Sequence, residues 1–376
     1  MKKFIIPILA ISLLGTFGCS KDEESEPDPA PVPPPDASYV IGKYAPVDQL
    51  ASIRQNNMTA VFNWDNDSTL KSLSMDDLQI AFTYDNLKRQ TKVENGESLY
   101  KYTYKGNALS EIQYENVGQY GNIVLYKGNV TCSGNHITSI NYTDINPIFA
   151  NEILDEIIPS TRKDSQEMEI NKFQTDYTWG NGDVNTEKTK LNYTLDGTVG
   201  SLFNNLDLES IDIDALLESL NLSIPISASA VKDMLREYVQ YFGDSTCTAS
   251  CSANITSAFT YDKCNNPIYG VWTDGFLQQT QILSMHNCTK NVTNGELTIE
   301  VRAKMPTSNI PSDVSLALRG IIALIQGTDY FKNGELQFSF TRQIPEIINN
   351  TTFTYDNQNR PTTMTQGGET ITFQYR

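Results

Sequence analysis

Residues able to do chemistry are few in this chain. It has 376 residues, two histidines (His136 and His286) and six cysteines. Two imidazoles cannot build a multi-histidine metal centre. Cys247-x3-Cys251 with Cys264 and Cys288, or Cys132-x3-His136, holds zinc-type donors, but at none of the close knuckle spacings, so no metal ligand is assigned. Cys132 and His136 also form a thiol–imidazole pair on paper. Ser133-Gly134-Asn135 between them reads as a hairpin tip, which makes that cysteine structural. With Cys19 set aside, five cysteines remain. An oxidising compartment favours bridges with one thiol left over, and the clustering points to Cys247, Cys251, Cys264 and Cys288 with connectivity open. There is no Gly-x-Ser-x-Gly elbow, His-Glu-x-x-His or phosphate loop. Carboxylates abound, yet no two stand out as an acid–base pair. The expectation is a protein without catalytic residues or cofactor.

Trp64, Trp179 and Trp272 each lie beside Gly, Asn or Asp turn residues, where an aromatic face can stack on a sugar. Asp65-Asn66-Asp67 offers alternating oxygen ligands for calcium but lacks the rest of a calcium loop, so it reads as a solvated turn. The charge, 45 Asp+Glu against 28 Lys+Arg, argues against nucleic-acid binding, which needs clustered cations. A 39% hydrophobic content is that of a folded protein.

The N-terminus says where such a body is held. Lys2 and Lys3 precede the apolar run Phe4–Leu14, and Gly18 precedes Cys19, so residues 1–18 read as a signal peptide. The arrangement resembles a bacterial lipoprotein signal, which implies lipidation of Cys19 and an outer-membrane anchor. Residues 19–37 continue as the lipidated cysteine and an acidic, Pro-rich tether with almost nothing to bury. Its Asp22-Glu23-Glu24 run is similar to the surface-export signal of Bacteroidetes lipoproteins, which implies cell-surface display. Loss of Lys2 and Lys3 takes the formal charge from -17 to -19. Asp67-Ser68-Thr69 and Asp244-Ser245-Thr246 resemble the O-glycosylation pattern of Bacteroidetes envelope proteins, with Ser68 and Ser245 as the acceptors.

Residues 38–376 read as one mostly β domain, because a short unit recurs. FTYDNLKR (Phe82–Arg89), FTYDKCNN (Phe259–Asn266) and FTYDNQNR (Phe353–Arg360) share a core. Phe82/Tyr84 return 20 residues later as Tyr102/Tyr104, and Phe353/Tyr355 as Phe373/Tyr375. Alternating aromatics followed by Asp-Asn or Gly-Asn predict a strand, a turn and a returning strand. YTYKGNALSEI, LYKGNV, GNHITSINY, and the pair YTWGNGDV and YTLDGTVG read as variants. GELTIEVRAKM and GELQFSFTRQI, each preceded by Asn, read as strands leaving Asn-Gly turns. The units resemble the YD repeats of RHS-type surface proteins. They are closer still to a family of uncharacterised Bacteroidetes surface lipoproteins with a porin-like β fold. That resemblance implies fold and location, and no activity.

Helical spacing interrupts the pattern near 146–158, 210–243 and 312–327. The expected fold is therefore mainly β: a large antiparallel meander sheet or barrel of hairpin repeats, with roughly 14–18 strands of ordinary length and a few inserted short helices. The expected function is a surface lipoprotein acting as a binding or scaffold module for glycan or protein. The alternatives are a polysaccharide hydrolase using paired carboxylates and a β-barrel carrier of a small apolar ligand.

Overall fold

A computed structural model describes residues 49–65, 69–75, 78–134, 136–146, 167–200, 227–266, 286–305, 310, 312–327, 329, 331–344, 346, 351–366 and 368–376. The fold is mainly β, one 18-stranded antiparallel sheet. Its first strands are β1 (Leu50–Gln55), β2 (Met58–Trp64), β3 (Leu70–Met75), β4 (Leu78–Tyr84), β5 (Gln90–Glu94) and β6 (Ser98–Lys105). Longer ones follow: β7 (Ala108–Gly118), β8 (Gly121–Ser133), β9 (His136–Thr143), β10 (Glu167–Gly180), β11 (Asp183–Thr198), β12 (Thr246–Asn265) and β13 (His286–Lys304). The last are β14 (Phe331–Lys332), β15 (Glu335–Ile344), β16 (Thr351–Tyr355), β17 (Pro361–Gln366) and β18 (Glu369–Tyr375).

Pairing and chain length together bring the two edges of this sheet close to each other. Each strand from β1 to β12 pairs with the next, β13 and β14 both pair with β15, and β16, β17, β18 and β1 pair in turn. Apart from the two-residue β14 beside the start of β15, the ladder ends at β15 and β16, which are consecutive in the chain. Flat, 18 strands spaced about 4.8 Å apart would be roughly 80 Å wide. The residues between Ile344 and Thr351 can span only about 25 Å. Counting antiparallel steps round the ladder also gives β15 and β16 the same direction, as two halves of one interrupted strand. The sheet is therefore a ring.

Alternation decides which side is which. Phe82, Tyr100 and Tyr102 are buried, whereas Thr83, Lys101, Thr103 and Lys105 between or beside them are exposed. The buried set runs round the wall through Ile112, Tyr126, Ile140, Phe173, Leu191 and Ile371 as one core, the ring's lining. A bilayer-spanning barrel is built the other way, with an apolar band outward.

A repeated bulge explains why the FTYD unit takes its form. In each of several hairpins the returning strand gains one extra residue just after it starts: Lys71, Thr91, Ser110, Thr138, Asn185 and Thr362. A bulge frees a carbonyl from the ladder, and the next hairpin supplies a donor. Trp64 Nε1 donates to the Leu50 carbonyl at 2.7 Å, Tyr84 Oη to Leu70 at 2.8 Å and Tyr104 Oη to Gln90 at 2.8 Å. Cys132 Sγ reaches Leu109 at 3.5 Å, Trp179 Nε1 reaches Ile137 at 2.7 Å, and Tyr261 Oη reaches Val184 at 2.5 Å. Tyr375 Oη closes onto Pro361 at 2.9 Å. The result is a belt of side-chain hydrogen bonds linking successive hairpins at one end of the ring. Hydroxyls finish the bulges: Thr91, Ser110, Thr138 and Thr362 each donate to the carbonyl across the hairpin, at 3.2, 3.0, 3.2 and 3.1 Å.

Several expected turns are not turns. LYKGNV lies inside β8, and YTLDGTVG carries β11 onward to the opposite end of the wall. Asn294-Gly295 lies within β13, where cross-strand pairing to β12 continues through both residues. FTYDKCNN does not turn either: β12 continues to Asn265, with an irregularity in its pairing to β13 between Tyr261 and Asn265. Asn333-Gly334 does turn, both residues being left-handed. Two helices are described, α1 (Ala228–Phe242) and α2 (Leu316–Gln326). Ser227 caps α1 by accepting from the Ala230 N–H at 3.3 Å, and Ser315 caps α2 through Leu318 at 3.1 Å. The helices bury Val231, Met234, Phe242, Leu318 and Ile322 against Met305 and Val314, a small core of their own at the end away from the belt. The helical expectations near 146–158 and 210–220 fall outside the described residues.

Candidate functional site

The ring's lining is mostly apolar, and charge gathers on one stretch of it. Asp183 opens β11 after Asn181 and Gly182, whose left-handed conformations form the tight turn. Asp183 and Glu187 lie four residues apart across the Asn185 bulge, and both are buried. On β13, two strands away, His286 and Lys290 have the same spacing. Each pair reaches over β12. His286 Nδ1 lies 2.7 Å from Asp183 Oδ2, and its backbone N–H donates to Asp183 Oδ1 at 3.1 Å. Lys290 Nζ lies 2.5 Å from Glu187 Oε1.

Uncharged groups complete this polar lane. Ser257, on β12, pairs with Glu187 in register and is buried. Tyr177, on β10, faces Glu187 from the other side. Burial, and then the negative charge of Glu187, pushes the Tyr177 phenol well above its ordinary value. Burying a lysine and a glutamate is tolerable only because they neutralise each other; removing one partner of such a pair costs about 3–5 kcal/mol. The lane can hold polar or charged groups inside an otherwise greasy ring. Asp183 is closed on His286 and Glu187 on Lys290.

The residues singled out in the sequence fall elsewhere. Trp64 and Trp179 belong to the belt, each indole N–H spent on a backbone carbonyl, and the Trp179 ring lies 4.4 Å from that of His136. Cys132 also occupies a belt position, where its thiol stands in for a tyrosine hydroxyl, and burial raises its pKa. His136 is therefore turned to Trp179 while the thiol points to Leu109. Asp65 donates its N–H to the Thr69 carbonyl at 2.8 Å, and Asn66 and Asp67 lie outside the described residues. Ser245 is half-buried between α1 and β12, its N–H on the Phe242 carbonyl and its carbonyl accepting from Val199.

Cys247 and Cys251 are free thiols. They lie four residues apart on one strand, and Cys288 pairs across from Tyr261. A disulfide needs Cα atoms within about 7 Å. Burial pushes the Cys247 thiol up to about 11. It also raises Cys251, against a hydrogen bond from Tyr193 that lowers it. Cys19, Ser68, Trp272 and the Cys264 side chain lie outside the described residues. Among the described residues, no group of three His, Cys, Asp or Glu side chains is placed to hold a metal. No helix is long and apolar enough to cross a membrane, again among the described residues.

The polar lane itself was not anticipated. Its partners are 103 residues apart in both ion pairs, and only strand register brings them together. The belt had a signal that was available. Phe62/Trp64 precede Phe82/Tyr84 by 20 residues, so FNWD is a further copy of FTYD. No protein-family model matches the chain, and no curated protein matches it in sequence.

Proposed function

We propose that this chain is an outer-membrane lipoprotein displayed at the cell surface, whose ring serves as a non-enzymatic binding or scaffold module for glycan or protein. The observation that carries this reading is Cys19 behind an apolar leader and ahead of an acidic, Pro-rich spacer. The polar outer face of the ring supports it. Among the described residues the wall shows no continuous apolar band outward, so acyl chains would do the holding. The belt supports the scaffold part, since it fixes the hairpin tips relative to one another.

Intact-mass measurement of the membrane fraction tests the anchor. Cys19 is expected to carry acyl chains, and C19A to release the body; an unmodified Cys19 overturns it. Protease shaving of intact cells tests display, where a protected body overturns it. A glycan array probed with the Ala37–Arg376 fragment tests the binding role.

The closed, aromatic-lined ring favours a second reading, a carrier of a small apolar ligand. Native mass spectrometry of the purified chain decides that one. A co-purifying apolar ligand supports it, and a bare mass counts against it.

A further inference from the structure

The two ends of the ring differ. The first and last described residues meet at the belt, where Leu50 accepts from Trp64 and the Arg376 N–H donates to the Gln49 carbonyl at 3.0 Å. The far end carries the β7–β8 turn and the two helices, since α2 connects Lys304 of β13 to β14. The two most exposed large apolar side chains of the described residues are found there. Tyr120 is 99% exposed and Leu316 88%.

Tyr120 tips the turn between Gly118 and Gly121. A side chain on Gly118 would press on the Gly121 carbonyl at 2.8 Å, so the turn stays tight. Val117 and Ile123 beside it are also exposed, and Val117–Ile123 contains no charged residue in a chain of net charge -17. The nearest carboxylate on the hairpin, Glu115, is engaged by Lys101, by Gln113 at 2.5 Å and by Asn122 at 2.8 Å. Leu316 opens α2, whose sequence LALRGIIALIQ has one cation and no acid. Two elements remote in sequence thus present apolar groups at one end of the ring, which suits a planar partner better than a single pocket.

We propose that this end rests on the lipid bilayer, with Tyr120, Val117 and Ile123 of the hairpin and Leu316 of α2 seated in the interface. A phenol with an apolar ring and a polar tip belongs in that zone. The uncharged hairpin is also a part of this acidic body that anionic headgroups would not repel. This inference rests on the anchor reading. It further requires that a chain leaving the belt end can return to the membrane. Residues 20–48 can reach at most about 90 Å in extended form, whereas the wall from Leu109 to Gly118 is about 30 Å tall. The spacer is long enough for the body to lie belt-outward.

The test uses the full mature chain with an N-terminal hexahistidine replacing the acyl chains, held on nickel-chelating lipid in phosphatidylcholine vesicles. Attachment then does not depend on lipidation of Cys19, so this result and that of the mass measurement stand apart. Y120W and L87W place a tryptophan at the far end and at an exposed belt-end turn respectively. With brominated acyl chains, the emission gained in Y120W over the parent is expected to be lost, while that gained in L87W persists. Loss in L87W alone, or in neither, overturns the proposal.

Discussion

The first and third FTYD hairpins have the same local chemistry and different surroundings. Asp85 accepts from the Leu87 and Arg89 N–H groups, both at 2.9 Å, and from Arg89 Nε at 2.7 Å. Asp356 repeats this with Gln358, Arg360 and Arg360 Nε at 2.9, 3.0 and 2.8 Å. Each arginine then lies over the tyrosine that follows, Arg89 on Tyr104 at 4.3 Å and Arg360 on Tyr375 at 4.6 Å. Yet Phe82 is buried, while Phe353 is only partly so and Tyr355 is exposed. Copy one is flanked by paired strands on both sides. Copy three lies where the ring is closed by one interrupted strand. The clasp belongs to the octapeptide; burial belongs to the neighbours.

Truncating the two phenylalanines should separate those contributions most. F82A is expected to cost about 3–5 kcal/mol, and F353A less than half of that because less apolar area leaves water. Urea midpoints measure both, and equal losses would break the comparison. The belt should treat the copies alike. Y104F and Y375F each strand one carbonyl and should each cost about 1 kcal/mol.

Acid should also weaken both copies. Desolvation raises the Asp85 pKa, but hydrogen bonds from Arg89 and Leu87 and the Arg89 charge outweigh it and leave the carboxyl below the ordinary 3.8. Asp356 is lowered too, chiefly by the Arg360 backbone N–H. A folded-state value below the unfolded one gives stability that is present above 3.8 and drains as pH falls through the folded value. D85N and D356N should therefore lose less than the parent between about pH 5 and pH 3, measured as melting temperature against pH. The smallest effect is expected at the bulges. T91V and T362V should each cost about 0.5 kcal/mol, and a much larger loss at one alone would show that the bulges differ in strain.

What the sequence conveys here depends on distance along the chain. The 20-residue return of Phe82/Tyr84 at Tyr102/Tyr104 is local, so the hairpins are legible. The bulges are not, because an extra residue such as Thr91 is defined only by what it faces on β4. The belt sits between these cases. Its tyrosines recur visibly, but Trp64 and Cys132 serve the same purpose with different donors, and side-chain type alone points to sugar stacking or thiol chemistry instead. The polar lane is the extreme case, since Asp183 and Glu187 meet His286 and Lys290 only through the register of three long strands.

Pairing of β1 with β18 places Leu50 opposite Tyr375, and this has a consequence for how the chain could be rewired. Gln49 and Arg376, the first and last described residues, are neighbours in the wall, so in a chain begun at Gln49 a short linker between them would leave every described ladder in place. New ends could then be opened at the Asn95-Gly96 turn. A circular permutant of that kind should keep the native architecture. Deleting the final seven residues, by contrast, removes a shared border from β1 and β17 together and unzips the cylinder from both sides.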